Sequence, residues 1–311
     1  MRVLVTGANG FVGRQVVAEL ARAGHTVIGG VRVGEGTLAA PEGVSWVPLE
    51  LLEPASVAAA VGLRPDAVIH LAAQASGAEA RRDPLSTWSA NVLGTVALSS
   101  ALERAGGQIP LVFASTGEVY GPGHAAPIPE SAPVHPVSPY AASKAAAEIA
   151  LLEARARWGL HVVLARCFAQ AGPGQRDGFV VPAWTCRLLE AKASGIGTIA
   201  VGNLDPIREF VDVRDVARAL VLLIGKGIPG EAYNIAAGRA LRLAEVFEAL
   251  RGEVGTSARA VPDPALFRAA DIDYLVGDGR RLASLGWSPA FTLSRTLHDV
   301  VADLRDATSS P

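Results

Sequence analysis

Through its first half the chain alternates short apolar runs with longer stretches of helical periodicity. Val3–Val5, Thr26–Ile28, Val44–Val47, Ala67–Leu71, Leu111–Ala114 and Val162–Ala165 read as strands. Between them, Phe11 to Ala23, Pro54 to Val61, Thr87 to Arg104 and Pro139 to Trp158 repeat apolar positions at helical spacing. Strands this uniformly apolar are buried on both faces, and strands alternating with helices make a parallel sheet covered on both sides. Local signals agree. Gly24 stops the first helix. Ser138 is placed to cap the last of the four, with Pro139 at its first position and Gly159 at its end. After about residue 171 the regularity falls away, with Gly172-Pro173-Gly174, Pro182, Gly195 and Gly197 marking loops. The pattern predicts an α/β fold: a doubly wound parallel sheet followed by a smaller, mixed C-terminal lobe.

Thr6-Gly7-Ala8-Asn9-Gly10-Phe11-Val12-Gly13 joins the first strand to the first helix. Glycines in that context permit a tight turn, close backbone approach to a pyrophosphate and close helix-on-strand packing. The helix N-terminus adds free N–H groups and the positive end of its dipole. The chain is therefore expected to bind a dinucleotide through Gly7, Asn9, Gly10, Phe11, Val12 and Gly13, on a Rossmann unit spanning 1–170. The segment 205–235 is expected to return to that unit, leaving 171–204 and 236–311 as the substrate lobe. NAD sites usually carry an acid at the end of the second strand for the ribose 2′-OH. Here Gly29-Gly30-Val31-Arg32 offers none, and Arg32 suits a 2′-phosphate. NADP is expected; with Arg32 merely a solvated loop residue, NAD is the alternative.

Tyr140 and Lys144 stand four apart on one predicted helix and so project from one face. With four tyrosines and three lysines in 311 residues, the spacing is seldom accidental. An ammonium one turn away is expected to lower the phenol's pKa, so that it can exchange a proton with a carbinol oxygen while hydride moves to or from a nicotinamide. The bland reading is an ion-bearing pair on a solvated helix face. Thr116 and Glu118 leave the carboxyl end of a strand, where ligands bind in doubly wound sheets. Thr116 is a candidate donor to the reacting oxygen, and Glu118 a candidate second acid/base or sugar ligand; both also suit loop capping.

Composition narrows the alternatives. With half its residues hydrophobic, the chain can bury a large core. Its 28 basic and 30 acidic side chains give a net charge of −2, which offers no reason to expect nucleic acid or an anionic membrane as partner. Cys167 and Cys186 make no disulfide framework, the histidines show no metal-ligand spacing, and no apolar run is long enough to cross a bilayer. No metal is expected, and the cytoplasm is the expected compartment.

Taken together, T-G-x-x-G-x-x-G, His70-Leu71-Ala72-Ala73, Asn91-Val92-Leu93-Gly94-Thr95, the Thr116 segment and Tyr140/Lys144 resemble the extended short-chain dehydrogenase/reductase family, which acts on nucleotide sugars. The resemblance covers nearly the whole chain. It implies Tyr140 as acid/base, Lys144 on the nicotinamide ribose, Thr116 assisting, Glu50 and Leu51 beside the adenine, and Leu71, Ala72 and Ala73 along the cofactor. Gly172-Pro173-Gly174-Gln175, Phe179-Val180-Val181-Pro182, Val201 to Asp205 with Arg208, and Leu266 to Ile272 are most similar to the branch of GDP-4-keto-6-deoxymannose reductases and GDP-mannose 4,6-dehydratases. That implies Ser76, Gln170, Phe179, Val180, Asn203, Arg208 and Arg268 as nucleotide-sugar contacts, with the two arginines on phosphates. It also implies a homodimer through the helices 84–105 and 139–158.

Two features depart from the family. Arg166-Cys167-Phe168-Ala169-Gln170 replaces R-P-F-N-H, removing at Ala169 an amide that would orient the sugar. Gly117 precedes Glu118 where dehydratases carry a second acid or a Ser. The expected activity is NAD(P)H-dependent reduction of a 4-keto nucleotide sugar, most closely GDP-4-keto-6-deoxymannose. The alternatives are an NDP-sugar 4-epimerase or 4,6-dehydratase that recycles its cofactor, and a binding module without turnover.

Overall fold

The computed structural model describes residues 1–34, 42–106, 108–175, 178–267 and 271–309. Strands β1 (Arg2–Thr6), β2 (Thr26–Val31), β3 (Val44–Pro48), β4 (Ala67–His70), β5 (Leu111–Thr116) and β6 (Val162–Cys167) enter one sheet. Short β7 (Gln170–Ala171), β8 (Thr198–Val201), β9 (Ile207–Arg208) and β10 (Val211–Asp212) follow, then β11 (Ala232–Ile235), β12 (Leu241–Arg242), β13 (Arg259–Pro262) and β14 (Tyr274–Leu275). The large sheet runs β11-β6-β5-β4-β1-β2-β3, with every pairing parallel. Strand order reverses between β1 and β4, the point at which a doubly wound sheet opens a crevice beyond its carboxyl edge. In register, Thr6 pairs with His70 and Thr116 with Cys167, so the ends of four strands converge there.

Helices cover both faces. They are α1 (Phe11–Arg22), α2 (Pro54–Gly62), α3 (Gly77–Arg82), α4 (Pro84–Trp88), α5 (Gly94–Arg104), α6 (Pro139–Trp158), α7 (Val180–Ser194), α8 (Val213–Lys226), α9 (Leu243–Val254), α10 (Arg280–Ser284) and α11 (Leu293–Ser309). One apolar layer packs Val16, Val17 and Leu20 of α1 and Val216, Leu220 and Leu223 of α8 against β1, β2 and β4. The opposite layer packs Val57 of α2, Leu98 and Leu102 of α5 and Leu151 of α6 against β4, β5 and β6. A separate cluster closes the C-terminal lobe, with Leu188 of α7, Phe247 and Leu250 of α9 and Val300 of α11 around β8 and β13. Among the described residues no helix is long and apolar enough to cross a membrane.

One expectation needs correction. The helix expected to run unbroken over 87–104 is interrupted by a π turn, Ser89–Leu93, where the Gly94 N–H bonds the Ser89 carbonyl. The apolar periodicity is that of a helix on both sides, so one inserted residue leaves no signature in it. Helix α3 is also additional: its polar sequence, GAEARR, carries no apolar stripe, and Ser76 caps it by accepting the Glu79 N–H.

Helix α6 is set by its ends. The Ser138 hydroxyl accepts the Ala141 N–H at 3.1 Å, Pro139 occupies the first turn, and Gly159 closes the helix in the left-handed region at φ 84°. Its inward face holds Ala141, Ser143, Lys144, Ala147, Glu148 and Leu151. Ser138→Ala is expected to cost about 1 kcal/mol by leaving that N–H unmade. Thermal unfolding followed by far-UV circular dichroism should show a midpoint lower by about 2 °C.

Candidate active site

The glycine loop lies against the loop that leaves β4. Gly7 has φ 68°, and a Cβ there would stand 2.9 Å from the Ala72 backbone nitrogen. At Gly13 a Cβ would stand 2.2 Å from the Gly7 carbonyl oxygen. These positions exclude side chains and leave backbone facing the head of α1, a cradle of the shape a pyrophosphate requires. Asn9, Gly10, Phe11 and Val12 are half-buried along it, and the Asn9 carbonyl accepts from Arg14 Nε at 2.8 Å.

Leu71, Ala72 and Ala73 are half-buried beside this cradle. Their position follows from one hydroxyl. Thr6 Oγ1 accepts the N–H groups of Leu71 (3.2 Å) and Ala72 (3.1 Å) and lies 2.7 Å from His70 Nδ1. Because those bonds occupy its acceptor sites, Thr6 donates its proton to Nδ1. His70 Nε2 then donates to Thr95 Oγ1 at 3.0 Å, and Thr95 donates to the Asn91 carbonyl at 2.6 Å. Burial, helped by Lys144, pushes His70 down to about 3, which keeps the ring in this neutral form. Asn91, in the π turn, accepts the Gln74 N–H at 2.7 Å and donates to Ser143 Oγ at 2.9 Å; Ser143 donates to the Tyr140 carbonyl at 2.7 Å. A directed chain of hydrogen bonds thus runs from the end of β1 to α6.

At the other end of the cofactor cleft, Arg32 is exposed just after β2. Glu50 brings the nearby carboxylate, its Oε1 accepting the Val33 N–H at 2.9 Å, and Leu51 packs against Gly94.

Tyr140, Thr116 and Lys144 meet beyond the ends of β5 and β6. Thr116 Oγ1 accepts the Glu118 N–H at 3.2 Å and hydrogen-bonds the Tyr140 phenol. Lys144 is 3% exposed, with Nζ 4.2 Å from the centre of the Phe113 ring. The expectation that Lys144 lowers the phenol's pKa does not hold in this geometry. Burial, then the Glu118 charge, raises Tyr140 above its ordinary value, with the Thr116 bond opposing; the ammonium instead rests on the Phe113 face. The phenol is therefore held protonated. Burial brings Lys144 down to about 8, opposed by the negative charges that Cys167 and Glu148 carry when ionised.

The remaining expected contacts spread along the second lobe. Ser76 caps α3 and Phe179 precedes α7, 39% exposed, with Val180 half-buried at that helix's first position. Gln170 opens β7, its Oε1 buried without a hydrogen-bond partner. Asn203 Oδ1 accepts the Asp205 N–H, and Arg208 Nη2 meets Asp271 at 2.8 Å. Arg268 lies outside the described residues. Cys167 was not anticipated: burial pushes its thiol up to about 12, and it faces both Tyr140 and Lys144. Its place at the end of an apolar strand beside Thr116 is the signal that would have revealed it. Gly117 is fixed by contact, since a Cβ there would fall 2.9 Å from the Phe168 ring.

Known proteins carry the same arrangement. The family model for the NAD dependent epimerase/dehydratase family matches residues 3–236. A GDP-6-deoxy-D-mannose reductase from Pseudomonas aeruginosa is 37% identical over 309 residues, covering 97% of this chain and 96% of its own. A UDP-glucose 4-epimerase from Mycolicibacterium smegmatis is 31% identical, covering 98% and 99%. Among solved structures, RMD from Pseudomonas aeruginosa complexed with NADPH superposes with a TM-score of 0.85 at 34% identity, covering 98% of this chain and 99% of that one. The Thermus thermophilus UDP-glucose 4-epimerase complex with NAD gives a TM-score of 0.89 at 32% identity, covering 99% and 100%.

A lysine lowered to about 8 fixes a pH dependence. Its ammonium is present below pH 8 and lost as pH rises through that value. The kcat/KM for the cofactor, which reports the free enzyme, is expected to fall with an apparent pKa near 8. A profile flat from pH 7 to about pH 10, where an ordinary lysine titrates, would contradict this.

Proposed function

The chain belongs to the NAD dependent epimerase/dehydratase family, and from that premise we propose that it is a reductase of a 4-keto nucleotide sugar, most closely GDP-4-keto-6-deoxymannose. The observation that carries the reading is the meeting of Tyr140, Thr116 and Lys144 at the same sheet edge as the glycine cradle. Gly7, Gly10 and Gly13 with Leu71 to Ala73 hold the dinucleotide, and Arg32 favours the 2′-phosphate of NADP over NAD. When bound, the reduced nicotinamide supplies hydride. Tyr140, protonated, gives its proton to the carbonyl oxygen as that oxygen becomes an alkoxide, and Thr116 donates a hydrogen bond to the same atom. Lys144 holds the nicotinamide ribose. Glu118 stands beside the phenol as a sugar-hydroxyl ligand. Ser76, Gln170, Phe179, Val180, Asn203, Arg208 and Arg268 form the nucleotide-sugar side, with 171–204 and 236–311 as the substrate lobe.

Similarity to the Pseudomonas aeruginosa reductase and to its NADPH complex supports this reading. A dehydratase is disfavoured because the Phe168 ring fills the space that a Ser or acid at 117 would need. A 4-epimerase is the second reading, favoured by the similarity to UDP-glucose 4-epimerases. We also propose a homodimer. Leu85 is 82% and Ile149 68% exposed, and with Trp88, Leu93, Val96 and Leu152 they form apolar outer faces on α4, the π turn, α5 and α6.

Mixed with GDP-4-keto-6-deoxymannose, the protein is expected to oxidise one NADPH per sugar reduced, followed by loss of reduced-nicotinamide absorbance. Tyr140→Phe should lower kcat by about 10²-fold or more while still binding NADPH, and Arg32→Asp should shift preference toward NADH. No oxidation, together with interconversion of an NDP-hexose without added cofactor, would establish the epimerase instead. Light scattering that gives a single 32.1 kDa species would reject the dimer.

A further inference from the structure

Below the Tyr140/Lys144 pair lies a buried ion pair that the proposed chemistry does not use. Glu148 follows Lys144 by one helical turn and points inward from the same face of α6. It is 3% exposed, and its partner Arg166, on β6, is 7% exposed. The contact is bidentate: Arg166 Nε donates to Glu148 Oε1 at 3.1 Å and Nη2 to Oε2 at 2.7 Å. Ser115 of β5 donates to the same carboxylate. Arg166 Nη1 donates onward to the Tyr120 hydroxyl at 3.0 Å, which donates to Asn234 Oδ1 of β11 at 2.7 Å. One carboxylate on α6 is thereby tied to three strands.

Burying two charges is costly, and well-packed apolar residues would stabilise the fold as well or better. Stability alone is therefore a weak reason for this pair, and its position supplies a stronger one. The groups facing Lys144 are Glu148 on its own helix, Cys167 on β6, His70 on β4 and the Phe113 ring on β5. Tyr140 is faced by Glu118, Cys167 and Thr116. Cys167, pushed up to about 12, is a neutral thiol near pH 7, and His70, down at about 3, is a neutral ring. Glu148 is the negative charge left to support the ammonium.

Resting on the reading of Tyr140 and Lys144 as the catalytic pair, we propose that Glu148 and Arg166 are positioning residues: their ion pair sets the seat of α6 over β5 and β6 and supplies the charge that keeps Lys144 an ammonium. Neither residue touches substrate or cofactor; both act through Lys144 and Tyr140.

Lysine occurs only at 144, 192 and 226, so the protein labelled with 13C at lysine Cε yields three resonances, and Lys144→Arg identifies the one from Lys144. In Glu148→Gln the Lys144 midpoint is expected to fall by about half to one pH unit, as loss of one adjacent charge implies. The alkaline limb of kcat/KM should move with it. An unchanged midpoint in folded Glu148→Gln overturns the proposal. Glu148→Asp keeps the charge but withdraws it from the guanidinium fork. It is expected to retain the Lys144 midpoint while kcat falls about fivefold or more, since small misplacements are costly in catalysis. Wild-type kcat in Glu148→Asp overturns the positioning role, and this holds even if the glutamine variant does not fold. The midpoint is read without turnover. A shifted midpoint in a protein that reduces no keto sugar would therefore sink the proposed reaction and leave the ion pair's role intact.

Discussion

All seven strands of the main sheet run the same way, so their carboxyl ends lie on one edge and everything that leaves them is delivered to one side of the molecule. That constraint places the glycine loop after β1, the Leu71–Ala73 loop after β4, Thr116 at the end of β5 and Cys167 at the end of β6. The hydrogen-bond chain from Thr6 through His70, Thr95, Asn91 and Ser143 then fixes these parts relative to α6. Each hydroxyl along it has its proton direction determined by its neighbours. The arrangement is stiff for that reason and also because no water is needed to complete it.

Electrostatics near the pair follow from burial more than from the pair itself. Tyr140 and Lys144 are both driven toward their uncharged forms by the apolar surroundings that position them. A neutral phenol is the form that reduction of a ketone requires, because it can give up a proton. A neutral amine would be of less use, and the charge retained on Glu148 works against it. Placing an ion pair beneath the lysine and a thiol, rather than a second carboxylate, beside it keeps the two tendencies separate.

Much of this was legible in the chain. The strand–glycine–helix segment, the Ser138 cap, the Gly159 stop and the four-residue spacing of Tyr140 and Lys144 are local features, and local features survive in sequence. The π turn was not legible, since Asn91 is a polar residue inside an otherwise helical pattern and its reason lies across space, in Gln74 and Ser143. Helix α3 was missed because nothing in GAEARR alternates. The direction of the Tyr140 shift was misjudged from spacing alone: four residues apart guarantees a shared face, but not that the ammonium turns toward the phenol and away from Phe113. The role of Gly117 also needed three dimensions, because the ring that excludes a side chain there comes from Phe168 on another strand.

The extra residue in the π turn bears on how such chains can change length. An α-helix advances about 100° per residue. Removing one residue between Pro84 and Arg104 would restore an ordinary helix and swing everything beyond the cut by that angle. Thr95 would leave His70, and the apolar stripe of Leu98 and Leu102 would turn off the sheet. Insertions and deletions that a surface helix normally absorbs at its ends are thus barred from this one, and descendants of this sequence would be expected to vary in length elsewhere.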